Sequence, residues 1–85
     1  MLNTYILRDA RTSRKPILMT RHAVQRALKY GLAPETIERI VKEGKRQREG
    51  KTKTRYTLRI KKQVWVLICD ESADQIIIIT ITKGR

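Results

Sequence analysis

The hydrophobic period of this chain changes at Gly44, and that change restricts the fold more than any other feature of its 85 residues. Before Gly44, apolar residues recur at spacings of three and four. Val24, Ala27 and Leu28 do so in one segment, and Ile37, Ile40 and Val41 in the next. That spacing lays each set along one side of a helix. After Gly44 the spacing falls to two. Tyr56, Leu58 and Ile60 alternate with Arg55, Thr57 and Arg59, as they would on the two faces of a strand. A chain with helices first and strands after points to an α+β domain, its two helices on one face of a three- or four-stranded antiparallel sheet.

Local signals set the boundaries. Thr20 is a good N-cap for a helix over Arg21–Tyr30, and Gly31 can take the left-handed conformation that ends it. Met19, just before the cap, is placed to act as half of a hydrophobic staple. Val24, Ala27, Leu28 and Gly31 fall on the apolar side of that helix, and His22, Arg26 and Lys29 on the other. Pro34 opens a second helix, with Glu35 in its first turn and Lys42 in its last, and Gly44 stops it. Lys45–Glu49 reads as a short edge strand and Lys61-Lys62 as a tight turn. Gln63–Cys69 and Gln75–Thr82 read as apolar strands. Residues 1–16 read as an extension, with Tyr5-Ile6-Leu7 as a strand or helical turn and Arg11, Arg14 and Lys15 in a polar connection. One domain over residues 1–85 is expected.

Charge is concentrated. The net is +12, and residues 42–62 alone carry +8, against +5 for residues 1–41 and −1 for residues 63–85. A basic block of this kind attracts polyanions by releasing their counterions. Nucleic acid is the expected partner of such a surface, with an acidic protein and an anionic membrane as the other two; pairing of two like copies by their strand edges is a separate alternative. Lys29, Lys45, Arg46, Arg48, Lys53, Arg55, Arg59, Lys83 and Arg85 are the candidate phosphate contacts. The single cysteine, Cys69, lies in an apolar run and reads as a small buried hydrophobe, and Trp65 in the same run reads as core. No ligand spacing for a metal and no cofactor motif is seen, and the apolar runs fall far short of the ~20 residues of a membrane helix. Met1–Tyr5 lacks a signal-peptide pattern, so the cytoplasm is the expected location.

His22 is the only histidine. Imidazole is the side chain that titrates near neutral pH, and Arg26 stands one helical turn away. Cleavage of RNA needs a base for the 2′-hydroxyl, cations for the phosphoryl oxygens and an acid for the 5′-oxygen. His22 suits the proton transfers, and Arg26 suits the phosphate. Arg55, Arg59 and Lys83 are candidates for a clamp, and Thr80 or Thr82 for orienting the ring or the phosphate. The Arg21-His22-Ala23-x-x-Arg26 helix, the second helix after a glycine, and the sheet ending in Thr80-Ile81-Thr82-Lys83-Gly84-Arg85 resemble a family of small domains. These are grouped with the RelE/ParE-type toxins in the barnase–colicin–RelE class of ribonucleases. The resemblance implies a RelE-like fold, metal-independent endoribonuclease activity with His22, Arg26 and Thr80 as catalytic residues, and an acidic antitoxin-like partner. The alternative is an RNA- or ribosome-binding module without catalysis.

Overall fold

The computed structural model describes residues 16–84. The expectations placed on Tyr5-Ile6-Leu7, on Arg11, Arg14 and Lys15, and on Arg85 lie outside these residues. Seven elements follow in order: β1 (Ile17–Met19), α1 (Arg21–Tyr30), α2 (Pro34–Glu43), β2 (Lys45–Arg48), β3 (Lys53–Ile60), β4 (Gln63–Glu71) and β5 (Ile76–Gly84). The strands form one sheet in the order β1-β5-β4-β3-β2. The α+β class is as expected. The sheet, however, has five strands and is mixed, because β1 pairs with β5 in parallel while the other pairs are antiparallel. Ile17-Leu18-Met19 is too short to show a period of its own. Its strand conformation comes from β5, 59 residues later along the register Ile17↔Ile76.

Both helices pack on one face. Ala23 and Ala27 of α1 and Ile37, Ile40 and Val41 of α2 share a core with Ile17, Met19, Tyr56, Trp65, Leu67, Cys69, Ile76, Ile78 and Ile81. Burial of these aliphatic side chains contributes roughly 1.5–3 kcal/mol each to folding before entropy is set against it. Alanines at the contact let α1 sit close to β5. Leu28, placed by its spacing on the apolar seam, is instead 76% exposed. With Met19, Val24, Leu32, Pro34 and Ile37 it borders a shallow apolar cleft of about 270 Å³. Met19 and Val24, at the N′ and N4 positions of a staple, both line it.

A single bulge decides which β5 side chains face the helices. Cys69 pairs with Ile78 but Ile68 pairs with Thr80, so Ile79 is extra. Before it, Ile76 and Ile78 point to the core; after it, Ile81 and Lys83 are on that side, opposite Leu67 and Trp65. The α1 cap fixes the same spot. The Thr20 hydroxyl accepts from the Ala23 amide at 3.1 Å and donates to the Ile79 carbonyl at 2.9 Å, while the Thr20 amide donates to Ile78 O at 3.0 Å. Gly31 ends α1 in the left-handed conformation at φ 69°. Gly44 ends α2 differently: its backbone is extended, and a Cβ would run into the Ile40 carbonyl oxygen and lie 2.9 Å from that of Thr57. Among the described residues no helix is long and apolar enough to cross a membrane.

Candidate functional site

His22, Arg26 and Tyr30 stand at successive turns along one stripe of α1. His22 is exposed and Arg26 half-buried. The Arg26 guanidinium donates through Nη1 to the Tyr30 hydroxyl at 2.9 Å. Tyr30 in turn lies against Trp65 of β4, with ring centroids 5.5 Å apart and planes tilted by 52°. Lys83 of β5 sets its ammonium 5.1 Å from the Tyr30 centroid and 5.8 Å from that of Trp65. This is cation–π range, worth roughly 0.5–1 kcal/mol at a surface. Two cations thus share one phenol, one at its hydroxyl and one at its face. Their mutual repulsion falls when an anion sits between them. Lys29, exposed in the last turn of α1, adds a third charge to this end of the molecule.

Of the expected catalytic set, His22 and Arg26 are on one stripe and Lys83 joins them through Tyr30. Thr80 does not. Its register partner is Ile68, which is paired on its other side with Arg55, so Thr80 and Arg55 share the sheet face away from both helices. Arg59, opposite Val64, and Lys53, opposite Asp70, are on that face too. Lys45, paired with Thr57, joins them. The clamp expected from Arg55 or Arg59 beside His22 is therefore not formed. Arg55 Nε lies 3.2 Å from Glu49 Oε2 instead.

A second polar cluster occupies the far end of β4. The Tyr56 hydroxyl donates to Glu71 Oε1 at 2.6 Å, and Arg46 donates to both carboxylate oxygens at 3.3 and 3.4 Å. The Glu71 side chain is only 9% exposed. Burial, then the Glu71 hydrogen bond, pushes the Tyr56 hydroxyl well above its usual range. Hydrogen bonds to Glu71 and Tyr56 raise Arg46 further. Burial raises the Cys69 thiol as well. Arg48 is turned to the carbonyls of Gly50 and Lys51. Arg46 and Arg48, expected to meet phosphates, are thus already engaged by the chain. The alternation of β3 places Tyr56 inward; its partner Glu71 is fixed only by the β3–β4 register and carries no local signal.

A small α+β domain, built on a capped helix that carries exposed His22 and sets Arg26 and Tyr30 beside Trp65 and Lys83, is the class these features define. A family model described as a domain of unknown function, DUF4258, matches residues 19–83, and the chain belongs to that family. No curated protein and no solved structure matches the chain.

Proposed function

We infer that the chain binds RNA and cuts it as a metal-independent, RelE-like endoribonuclease acting in the cytoplasm. The observation that carries this reading is the convergence of Arg26 and Lys83 on Tyr30, on the same helical stripe as the exposed His22. A phosphodiester between the two cations gains charge-assisted contacts that strengthen as its oxygens become more negative. His22 acts as general base, taking the proton of the 2′-hydroxyl as the 2′-oxygen attacks phosphorus, while the departing 5′-oxygen on the opposite side takes its proton from water. The products are a 2′,3′-cyclic phosphate and a 5′-hydroxyl. The two helices on one sheet face and the His-Ala-x-x-Arg helix support the RelE-like reading, with parallel β1 as an addition to the expected meander.

His22→Ala tests it. With labelled single-stranded RNA in EDTA, the variant loses about 10²- to 10⁴-fold in cleavage rate and keeps its RNA affinity within a few-fold. Full activity in that variant removes His22 from the mechanism. A second reading, binding without cleavage, is favoured by the exposure of the ring, since a solvated imidazole needs no catalytic role. A mobility shift of RNA that stays intact under wild-type protein is its signature.

A further inference from the structure

The apolar cleft between the two helices has walls of unlike charge. Val24 and Leu28 of α1 and Leu32 and Pro34 beyond it border a space of about 270 Å³. Leu28 is 76% exposed, the one large apolar side chain among the described residues that the fold leaves in water. Beside the Val24–Leu28 row on α1 runs a second row at helical spacing, Arg21, Gln25 and Lys29, all exposed. On α2, Glu35 and Glu38 stand beside Pro34 and Ile37, Glu35 exposed and Glu38 half-buried. The chain has a net charge of +12, yet these two carboxylates have no cation partner among the described residues. Glu43, Glu49 and Glu71 each have one.

We propose that two copies of this chain pair through this cleft, each laying Leu28 against Leu32 and Pro34 of the other. Charge complementarity selects a second copy as the occupant. A two-fold axis running along the cleft sets the α1 wall of each copy on the α2 wall of the other, so the cationic row meets the acidic one twice. Lys29 and Glu35 flank the Gly31-Leu32-Ala33 joint, at the same end of the cleft. A partner of one sign, a polyanion or a basic peptide, leaves one wall facing like charge. The acidic row ends one turn on at Lys42, which borders a different pocket with Gly44 and Arg46. Residues 21–41 carry four cations and two carboxylates, so most of the excess charge of each copy lies outside the paired segments. The C-terminal part of α1 and the N-terminal part of α2 take part. Each copy thus buries less than the ~800 Å² of a standard interface, and the dimer is weak, with a dissociation constant on the order of 10 μM. Both edge strands, β1 and β2, stay free. The His22, Arg26 and Tyr30 stripe lies on another side of α1, so this pairing stands or falls independently of the nuclease reading.

Sedimentation of the full chain tests this, over concentrations from about 1 μM to about 1 mM at roughly physiological salt. The wild-type chain shows a monomer–dimer equilibrium. Leu28→Ser, at a position the core does not use, weakens it at least about tenfold. Glu35→Lys with Glu38→Lys gives a monomer, because cations then line both walls. Gln25→Glu with Lys29→Glu gives a monomer as well, because carboxylates then meet carboxylates. Mixed in equal amounts, these two charge variants pair with each other, since unlike walls meet again on both sides of the axis. Circular dichroism shows that each keeps its fold, and Leu28→Ser decides the matter where a charge variant unfolds. A monomer over the whole range overturns the proposal. So does a dimer that Leu28→Ser leaves intact, which places the contact on a strand edge or another face. Failure of the two folded charge variants to pair when mixed overturns it too.

Discussion

The two ends of β4 each join an arginine to a tyrosine, and they do opposite things with the pair. At the end near Trp65, Arg26 meets Tyr30 and a second cation, Lys83, covers the ring. At the end near Glu71, Arg46 and Tyr56 both bond a carboxylate that is almost wholly shielded from water. The first cluster holds two positive charges, whose repulsion an anion would offset. The second is neutralised within the chain and acts as a fastener between edge strand β2 and central strand β4. An arginine beside a tyrosine therefore says nothing about function until the charge of the third partner is known. In this molecule the third partner is chosen by strand register and by a bulge.

Removing Glu71 gives the largest effect on stability. Glu71→Ala leaves the Tyr56 hydroxyl buried without its acceptor and Arg46 without its counter-charge, and costs about 3 kcal/mol in urea unfolding. Glu71→Gln keeps an acceptor for the hydroxyl and costs less. Equal losses in the two variants would show that shape and not charge holds this end together. At the other end the matched change is Lys83→Glu, which gives the first cluster the carboxylate it lacks. Arg26 then finds its anion inside the chain, and RNA affinity falls roughly thirtyfold at low salt with a shallower salt dependence. Unchanged affinity would place RNA elsewhere on the surface.

The pH dependence separates the two ends again. Tyr56 and Cys69 are both held protonated in the folded chain beyond their ordinary ranges. Their contribution to stability is complete below the unfolded values, about 8.5 for a thiol and 10 for a phenol. Above those values the unfolded chain releases protons that the folded chain keeps. Stability then falls with rising pH, by up to about 1.4 kcal/mol per pH unit for each group. Urea titrations between pH 8 and 11 measure this, and Tyr56→Phe flattens the part above pH 10. A steep fall that survives in that variant assigns the effect to other groups.

Helix ends were legible because their causes are local. Thr20, Gly31 and Pro34 each act within a few residues, and α1 runs from Arg21 to Tyr30 as the cap and stop imply. The alternation of β3 placed Tyr56 inward for the same reason. Three features were not legible, each because a distant segment decides it. β1 is a strand only because β5 lies beside it. Leu28 is exposed because α1 rolls onto its alanines to approach β5. Lys83 faces Trp65, and Thr80 faces away, because the Ile79 bulge reverses the parity of β5 inside an uninterrupted isoleucine run. A run that is apolar at every position carries no phase, so no reading of period could find the reversal. A local signal could have flagged His22, Arg26 and Tyr30 as one stripe, since their spacing is that of helical turns.

The smallest effect probes the turn that joins β3 to the Trp65 end of β4. Ile60 pairs with Gln63, leaving Lys61 and Lys62 as a two-residue loop, and Lys61 has φ 58°, the one described non-glycine residue in the left-handed region. A side chain there costs roughly 1 kcal/mol relative to glycine. Two adjacent ammonium groups on a chain of net charge +12 add repulsion. Lys61→Gly relieves both and raises stability by about 1 kcal/mol in urea unfolding. Lys61→Gln removes the charge and keeps the strained backbone. If strain dominates, Gln gains almost nothing; if repulsion dominates, Gln matches Gly and its advantage disappears at high salt. The second outcome would make this turn part of the same unneutralised cationic surface as Lys83, and the first would make it a local cost of closing the hairpin.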